Sequence, residues 1–329
     1  MSKLVVLDGH HYPEGAYAEV EKLCKEKGVD FAVLDCNSPE EVVEKAQDAD
    51  ACLCIYVKLD DAVLSKLPKM KMVVRCGIGV DNLNLEDHTK NGIYACNVPD
   101  YGVEEVAIHA LGDILALERK IVFYSSRVHA GVWSEDEGYT MRRVSLRKLG
   151  LLGYGRIARK LGEFAKVLGY TLLAYDPFLP DKFFEETGAR KVDLDTLFRE
   201  SDVMAVMAPA TPETIHIVND ENLAKAKDGL FVVNTARGAL IDTAAVLRAL
   251  DSGKLAGIAL DVLEEEPPKE LCSQLFGRDN VVLSPHIAYR SLESFEALKR
   301  MAGETAVTFL TGGEPYNVVN REVIGKAKS

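Results

Sequence analysis

Leu149-Gly150-Leu151-Leu152-Gly153-Tyr154-Gly155-Arg156-Ile157-Ala158 is the stretch whose reading decides the fold. Its first four residues read as a short buried strand. The rest fits G-x-G-x-x-G/A and opens a helix running to about Leu168. A glycine-rich turn alone is a weak signal, and a turn with an incidental acid is the alternative reading. What gives it weight is the next strand, Thr171–Tyr175, which is followed by Asp176, about twenty residues on. Gly153 permits the tight turn, and Gly155 lets the backbone approach a pyrophosphate. Ala158 is small enough for the helix to pack on its strand. The helix start at Arg156 and Ile157 offers unpaired N–H groups and a partial positive charge to phosphate. Asp176 suits the adenosine ribose hydroxyls and would repel a 2′-phosphate, so the expected cofactor is NAD rather than NADP.

Working outward, strands and helices alternate on both sides of this loop, which predicts α/β architecture with parallel sheets. Before it, strands are expected at Leu4–Leu7, Asp30–Leu34, Ala51–Ile55, Met72–Arg75 and Tyr94–Asn97. Helices are expected near Tyr17–Lys27, Pro39–Ala46, Asp60–Leu67 and Glu86–Asn91. Glu104 to Tyr124 has no proline or turn cluster and reads as one long helix. A polar loop with Trp133 and Arg142-Arg143 follows. After the glycine loop, further strands are expected near Val203–Ala208, Leu230–Asn234, Gly257–Asp261 and Val281–Ser284. A last helix, Leu292–Thr311, stops at Gly312-Gly313. The sharpest breaks are Asn97-Val98-Pro99-Asp100 and Ser284-Pro285-His286. They predict two domains: residues 102–286 in the middle, and 1–101 with 287–329 forming the other.

Composition narrows the function classes. A chain of 329 residues with 47% hydrophobic content can bury full cores. The net charge of −12 argues against nucleic acid as a partner. No apolar run approaches the ~20 residues of a membrane helix, and the N-terminus reads as a first strand rather than a signal peptide. The expected location is the cytoplasm. The seven cysteines show no metal-ligand spacing, so no metal is expected. Cys52 and Cys54 alternate along a strand and should be two buried thiols on one face.

Three segments each place a charged or titratable residue just after a strand, where open α/β sheets bind ligands. Arg237, in Asn234-Thr235-Ala236-Arg237-Gly238, suits bidentate carboxylate recognition. Glu266 ends the acidic run before Pro267, and His286 lies in Ser284-Pro285-His286-Ile287. Singly, each suits a structural role as well: a turn arginine, a solvated acidic loop, a lone histidine.

Together with Arg75-Cys76-Gly77-Ile78-Gly79-Val80-Asp81-Asn82, Asn97-Val98-Pro99 and Ala259-Leu260-Asp261-Val262, these segments resemble the D-isomer-specific 2-hydroxyacid dehydrogenases. The resemblance covers essentially the whole chain. It implies a Rossmann NAD domain inserted into a flavodoxin-like substrate domain. Arg237 is then the substrate-binding arginine, Glu266 the acid paired with histidine, and His286 the general acid/base. Glu266 should favour the charged imidazolium and raise its pKa. The resemblance further implies that backbone around Ile78 and Gly79 binds the substrate carboxylate. It puts Asp261 near the nicotinamide carboxamide and has Ala208, Thr235 and Ala236 line the cofactor cleft. It also implies a homodimer through the NAD domain, using Glu104–Tyr124 and the Trp133 loop. The family contains an alternative of another class, an NAD-sensing interaction module of the co-repressor kind. Ala158, Cys76 and Tyr289-Arg290 depart from the commonest family choices. Lys58, Arg75 and Arg290 are candidates for recognising a second anionic group on a small 2-oxo or 2-hydroxy acid; ordinary surface or interdomain charge is the other reading.

Overall fold

The structure, a computed structural model, describes residues 1–135 and 140–325. The chain forms two compact units, one of residues 1–102 with 291–329, the other of residues 103–290.

The first unit opens with β1 (Lys3–Val6), α1 (Ala18–Lys27), β2 (Asp30–Val33), α2 (Pro39–Lys45), β3 (Ala51–Cys54), α3 (Asp61–Leu64), β4 (Met72–Arg75), α4 (Leu85–Lys90) and β5 (Tyr94–Asn97). All five strands are parallel, in the order β2-β1-β3-β4-β5. Local chemistry sets the helix limits. Ser38 caps α2 by accepting from Glu41 N ahead of Pro39, and α1 stops at Gly28 with φ 69°. Along β3 the faces alternate: Ala51 and Leu53 join the core on one side, Cys52 and Cys54 the core on the other. Those two thiols are fully buried, as their alternation predicts, and all seven cysteines are buried and unpaired. The chain's last helix, Leu292–Leu310, returns to this unit. Its Leu298, Ala302, Ala306 and Val307 complete the core beside Val20 of α1. Gly303 allows the close approach, since a Cβ there would fall 2.7 Å from Val20.

The second unit begins with α5 (Val103–Glu118) and α6 (Ile121–His129). The single long helix expected over Glu104–Tyr124 is therefore two. Lys120 breaks it with a left-handed backbone (φ 53°), its ammonium lying over the rings of Phe123 and Tyr124. Neither Gly nor Pro marks the spot, so helical periodicity ran through it. Part of the Trp133 loop, residues 136–139, lies outside the described residues.

There follow β6 (Lys148–Leu152), α7 (Arg156–Val167), β7 (Thr171–Tyr175), α8 (Asp181–Thr187), β8 (Arg190–Lys191), α9 (Leu194–Glu200), β9 (Val203–Val206), α10 (Asp220–Lys225), β10 (Leu230–Asn234), α11 (Thr243–Asp251), β11 (Leu255–Leu260), α12 (Glu270–Ser273) and β12 (Val281–Leu283). The seven parallel strands run β12-β11-β10-β9-β6-β7-β8, so the order reverses between β6 and β9. That reversal is where a doubly wound sheet opens a crevice at its strand ends. One core lies on each face of the sheet. The unit ends at Arg290 rather than at His286. The residues just past the histidine stay with it because Asp261 accepts hydrogen bonds from Ile287 N and Ala288 N. Among the described residues no helix is long and apolar enough to cross a membrane.

Candidate active site

In the second unit the glycine loop follows β6 directly. Gly153 has φ 88°, and a Cβ there would lie 2.7 Å from the backbone of Ala208. Only glycine fits a left-handed turn packed that tightly against the exit of β9. Gly155 is different. It caps α7 with no side-chain hydrogen bond, and a Cβ on it would meet nothing within 4 Å. The first amides of α7, from Arg156 and Ile157, therefore start beside open space, as a helix N-terminus that holds a phosphate must. Ala158 is buried beneath. Asp176 closes the other side. Its carboxylate accepts from Tyr154 N and from Phe178 N, both at 3.0 Å. Each oxygen keeps a further lone pair, so the acid is held in place yet still able to accept from ribose hydroxyls. These residues fit a dinucleotide with an unphosphorylated 2′-hydroxyl.

Beyond β10, Asn234 is buried and organises the next turn. It accepts from Ala236 N (2.9 Å) and donates to Arg237 O (2.8 Å). Thr235 is buried, and Arg237 is half-buried with its guanidinium donating to Ala236 O at 2.7 Å. Gly238 presses against the loop after β11: a Cβ would fall 1.8 Å from Leu263 O. This contact brings Arg237 beside the acidic loop.

Glu266 uses both oxygens. One accepts from Leu263 N at 2.9 Å, the other meets His286 Nδ1 at 2.8 Å. Burial pushes the Glu266 carboxyl up. The bonds from His286 and Leu263 and the charges of His286 and Arg237 outweigh it, so the net shift is downward. The ionised carboxylate only accepts, so Nδ1 carries its proton, and Nε2 is the position that gains or loses one. His286 itself has a left-handed backbone (φ 55°), held by its N–H donating to Asp261 O at 2.8 Å. The trio read from separate segments is thus gathered in one unit.

The first unit places its candidates at the carboxyl ends of neighbouring strands. Lys58 is exposed after β3, and Arg75 ends β4 with its guanidinium folded over Gly77. Ile78 O accepts from the Asn97 side chain, which fixes the loop through Gly79. Arg290 lies in the other unit, exposed, so these three cations do not form one cluster within a unit. The sequence reading missed Asn234, Ser284, His109 and Asp113. The last two stand four residues apart in an apolar helix, which is the signal that marks them.

The family model described as D-isomer specific 2-hydroxyacid dehydrogenase, NAD binding domain, matches residues 111–288. A glyoxylate reductase of Thermococcus litoralis is 34% identical over 293 residues, 86% of this chain and 87% of the relative. A D-3-phosphoglycerate dehydrogenase of Methanocaldococcus jannaschii is 34% identical over 100% of this chain, which spans 62% of that relative. Among solved structures, a D-lactate dehydrogenase from Aquifex aeolicus complexed with NAD and lactic acid superposes with a TM-score of 0.84. It is 28% identical, with 99% of this chain and 98% of that one covered. The chain belongs to the D-isomer specific 2-hydroxyacid dehydrogenase family, and it is an NAD-dependent oxidoreductase of 2-hydroxy acids.

Proposed function

We propose that the protein reduces a small 2-oxo acid to its D-2-hydroxy acid with His286 as the proton donor, and runs the reverse with neutral His286 as base. The observation that carries this is the Glu266–His286 pair at 2.8 Å, which commits Nδ1 and reserves Nε2 for substrate. NADH, when bound, supplies the hydride. Gly153, Gly155, Arg156, Ile157 and Asp176 are assigned to hold its pyrophosphate and adenosine ribose, with Ala208, Thr235 and Ala236 lining the cofactor cleft and Asp261 near the nicotinamide carboxamide. Arg237 is assigned the substrate carboxylate and the polarisation of the carbonyl, since a guanidinium keeps its charge and binds oxygen pairs. His286⁺ then gives its Nε2 proton to the developing alkoxide.

We assign the first unit, residues 1–102 with 291–329, to substrate recognition, with the amides of Ile78 and Gly79 taking the carboxylate. Lys58 and Arg75, after neighbouring strands of that unit, are assigned to a second anionic group; Arg290, which lies in the second unit, is left out of that assignment. The relatives' names point to glyoxylate- or phosphoglycerate-type substrates. A cytoplasmic setting accords with seven unpaired thiols.

The test is NADH oxidation against glyoxylate, hydroxypyruvate, phosphohydroxypyruvate and pyruvate, with His286→Ala alongside. We expect the variant to bind NADH normally and to lose ~10²–10⁴ in kcat. Undiminished turnover would remove His286 from the mechanism.

A further inference from the structure

Helix α5 turns Val106, Ala107, Ala110, Ile114 and Leu117 into the core and buries two acids with them: Glu118, which pairs with Arg147 at 2.8 Å, and Asp113. An unpaired acid in such a place costs free energy. The Asp113 Oδ2 is buried with no hydrogen-bond partner; His109 Nε2, one helical turn back, lies 3.7 Å away. His109 Nε2 also lies 3.1 Å from Ser284 Oγ and 3.8 Å from Asp261 Oδ1. Ser284 spends its only hydroxyl proton on Asp261 Oδ1, at 2.6 Å. Its oxygen must therefore accept from His109, and Nε2 of His109 carries a proton.

The chain of bonds ends at the active-site loop. Asp261 Oδ1 accepts from Ile287 N at 2.9 Å, Oδ2 from Ala288 N at 2.8 Å, and the Asp261 carbonyl from His286 N at 2.8 Å. These bonds hold the residues around a histidine in a backbone conformation that non-glycine residues avoid. We propose that His109 and Asp113 are positioning residues, which through Ser284 and Asp261 keep the His286 loop in its working geometry. The proposal rests on His286 being the acid/base.

Burial pushes the Asp113 carboxyl up; His109 draws it down and Asp261 raises it further, leaving it at about 6. The charged groups facing it are thus His109 on its own helix and Asp261 at the end of β11. From α7 and β10 come apolar side chains such as Leu161 and Val233. Above that pH a carboxylate faces the Nε2–H edge of the His109 ring and holds that edge toward Ser284, which fixes the direction of the whole chain. Below it, that support is lost.

The experiment is the pH profile of kcat for 2-oxo acid reduction in the full-length protein, as wild type, Asp113→Asn and His109→Gln. Wild type should show an acid limb near pH 6. Asp113→Asn, the uncharged isostere, should lose that limb and run roughly 10-fold slower at neutral pH, with NADH affinity unchanged. His109→Gln keeps a donor to Ser284 but removes the ring that Asp113 faces, so it should lose the limb too; it serves as the readout if Asp113→Asn fails to fold. An acid limb left in place in the folded variants would overturn the proposal. His286→Ala separates the two claims. If that variant is active, the acid/base reading falls as well; if it is inactive while the limb persists, only the positioning role falls.

Discussion

Asp113 is the residue at which stability and activity are set against each other. Its carboxyl rises from the ordinary 3.8 to about 6. The folded chain therefore holds that proton more tightly than the unfolded chain does. Between those two pH values the unfolded state ionises first, so stability falls as pH rises, and the full penalty applies above about 6. At ~1.4 kcal/mol per unit the ceiling is ~3 kcal/mol. Asp113→Asn should accordingly melt higher than wild type at pH 8, with the advantage fading as the acid range is entered. Urea titrations at several pH values check this. A variant less stable than wild type at pH 8 would mean that the acid is part of the packing rather than a burden on it. Sequence could flag the i,i+4 spacing of His109 and Asp113 but not its consequence, because Ser284 lies 175 residues from His109.

At the scale of the element, the loop from β6 into α7 carries two glycines with opposite demands. Gly153 combines φ 88° with a backbone contact at 2.7 Å, so Gly153→Ala brings both strain and overlap. We expect it to lose more than ~2 kcal/mol of stability. Gly155 has an ordinary φ of −70° and open space at its Cβ position. Gly155→Ala should melt within ~0.5 kcal/mol of wild type and yet bind NADH far more weakly, because the added methyl fills that space. Calorimetric titration with NADH and thermal melts of both variants separate the roles. Tight NADH binding by Gly155→Ala would move the pyrophosphate elsewhere. The motif's spacing was legible in sequence, since a tight turn and a helix start depend on adjacent residues. The break at Lys120 was not, because it is held by ring contacts rather than by a breaker residue.

On the scale of the whole molecule, α6 has no buried residue. It exposes Ile121, Val122 and Val128, and the loop beyond exposes Val132 and Trp133, the last at 90%. Exposed apolar side chains suit an interaction face, and a homodimer through the second unit, which the resemblance implies, would use this one. Light scattering should give a dimer for wild type and a monomer for Val122→Glu combined with Trp133→Glu. A monomeric wild type at micromolar concentration would remove the assignment. The resemblance named Trp133 and the stretch Glu104–Tyr124 for such a contact, and that stretch is two helices rather than one. The alternation of strands and helices, the parallel sheets and the cofactor loop were all readable from residues within a few positions of one another, because periodicity and turn chemistry are local. Arg237, Glu266 and His286 were legible only as residues just after strands, and their roles came from the family resemblance. Only the tertiary structure decided that Glu266 takes Nδ1, that Gly238 packs against the Leu263 carbonyl, and that Asp261 and Ser284 link His286 to a buried acid on α5. Those contacts join residues far apart along the chain. Strand order in the sheet, not sequence separation, determines which loops meet at the carboxyl edge.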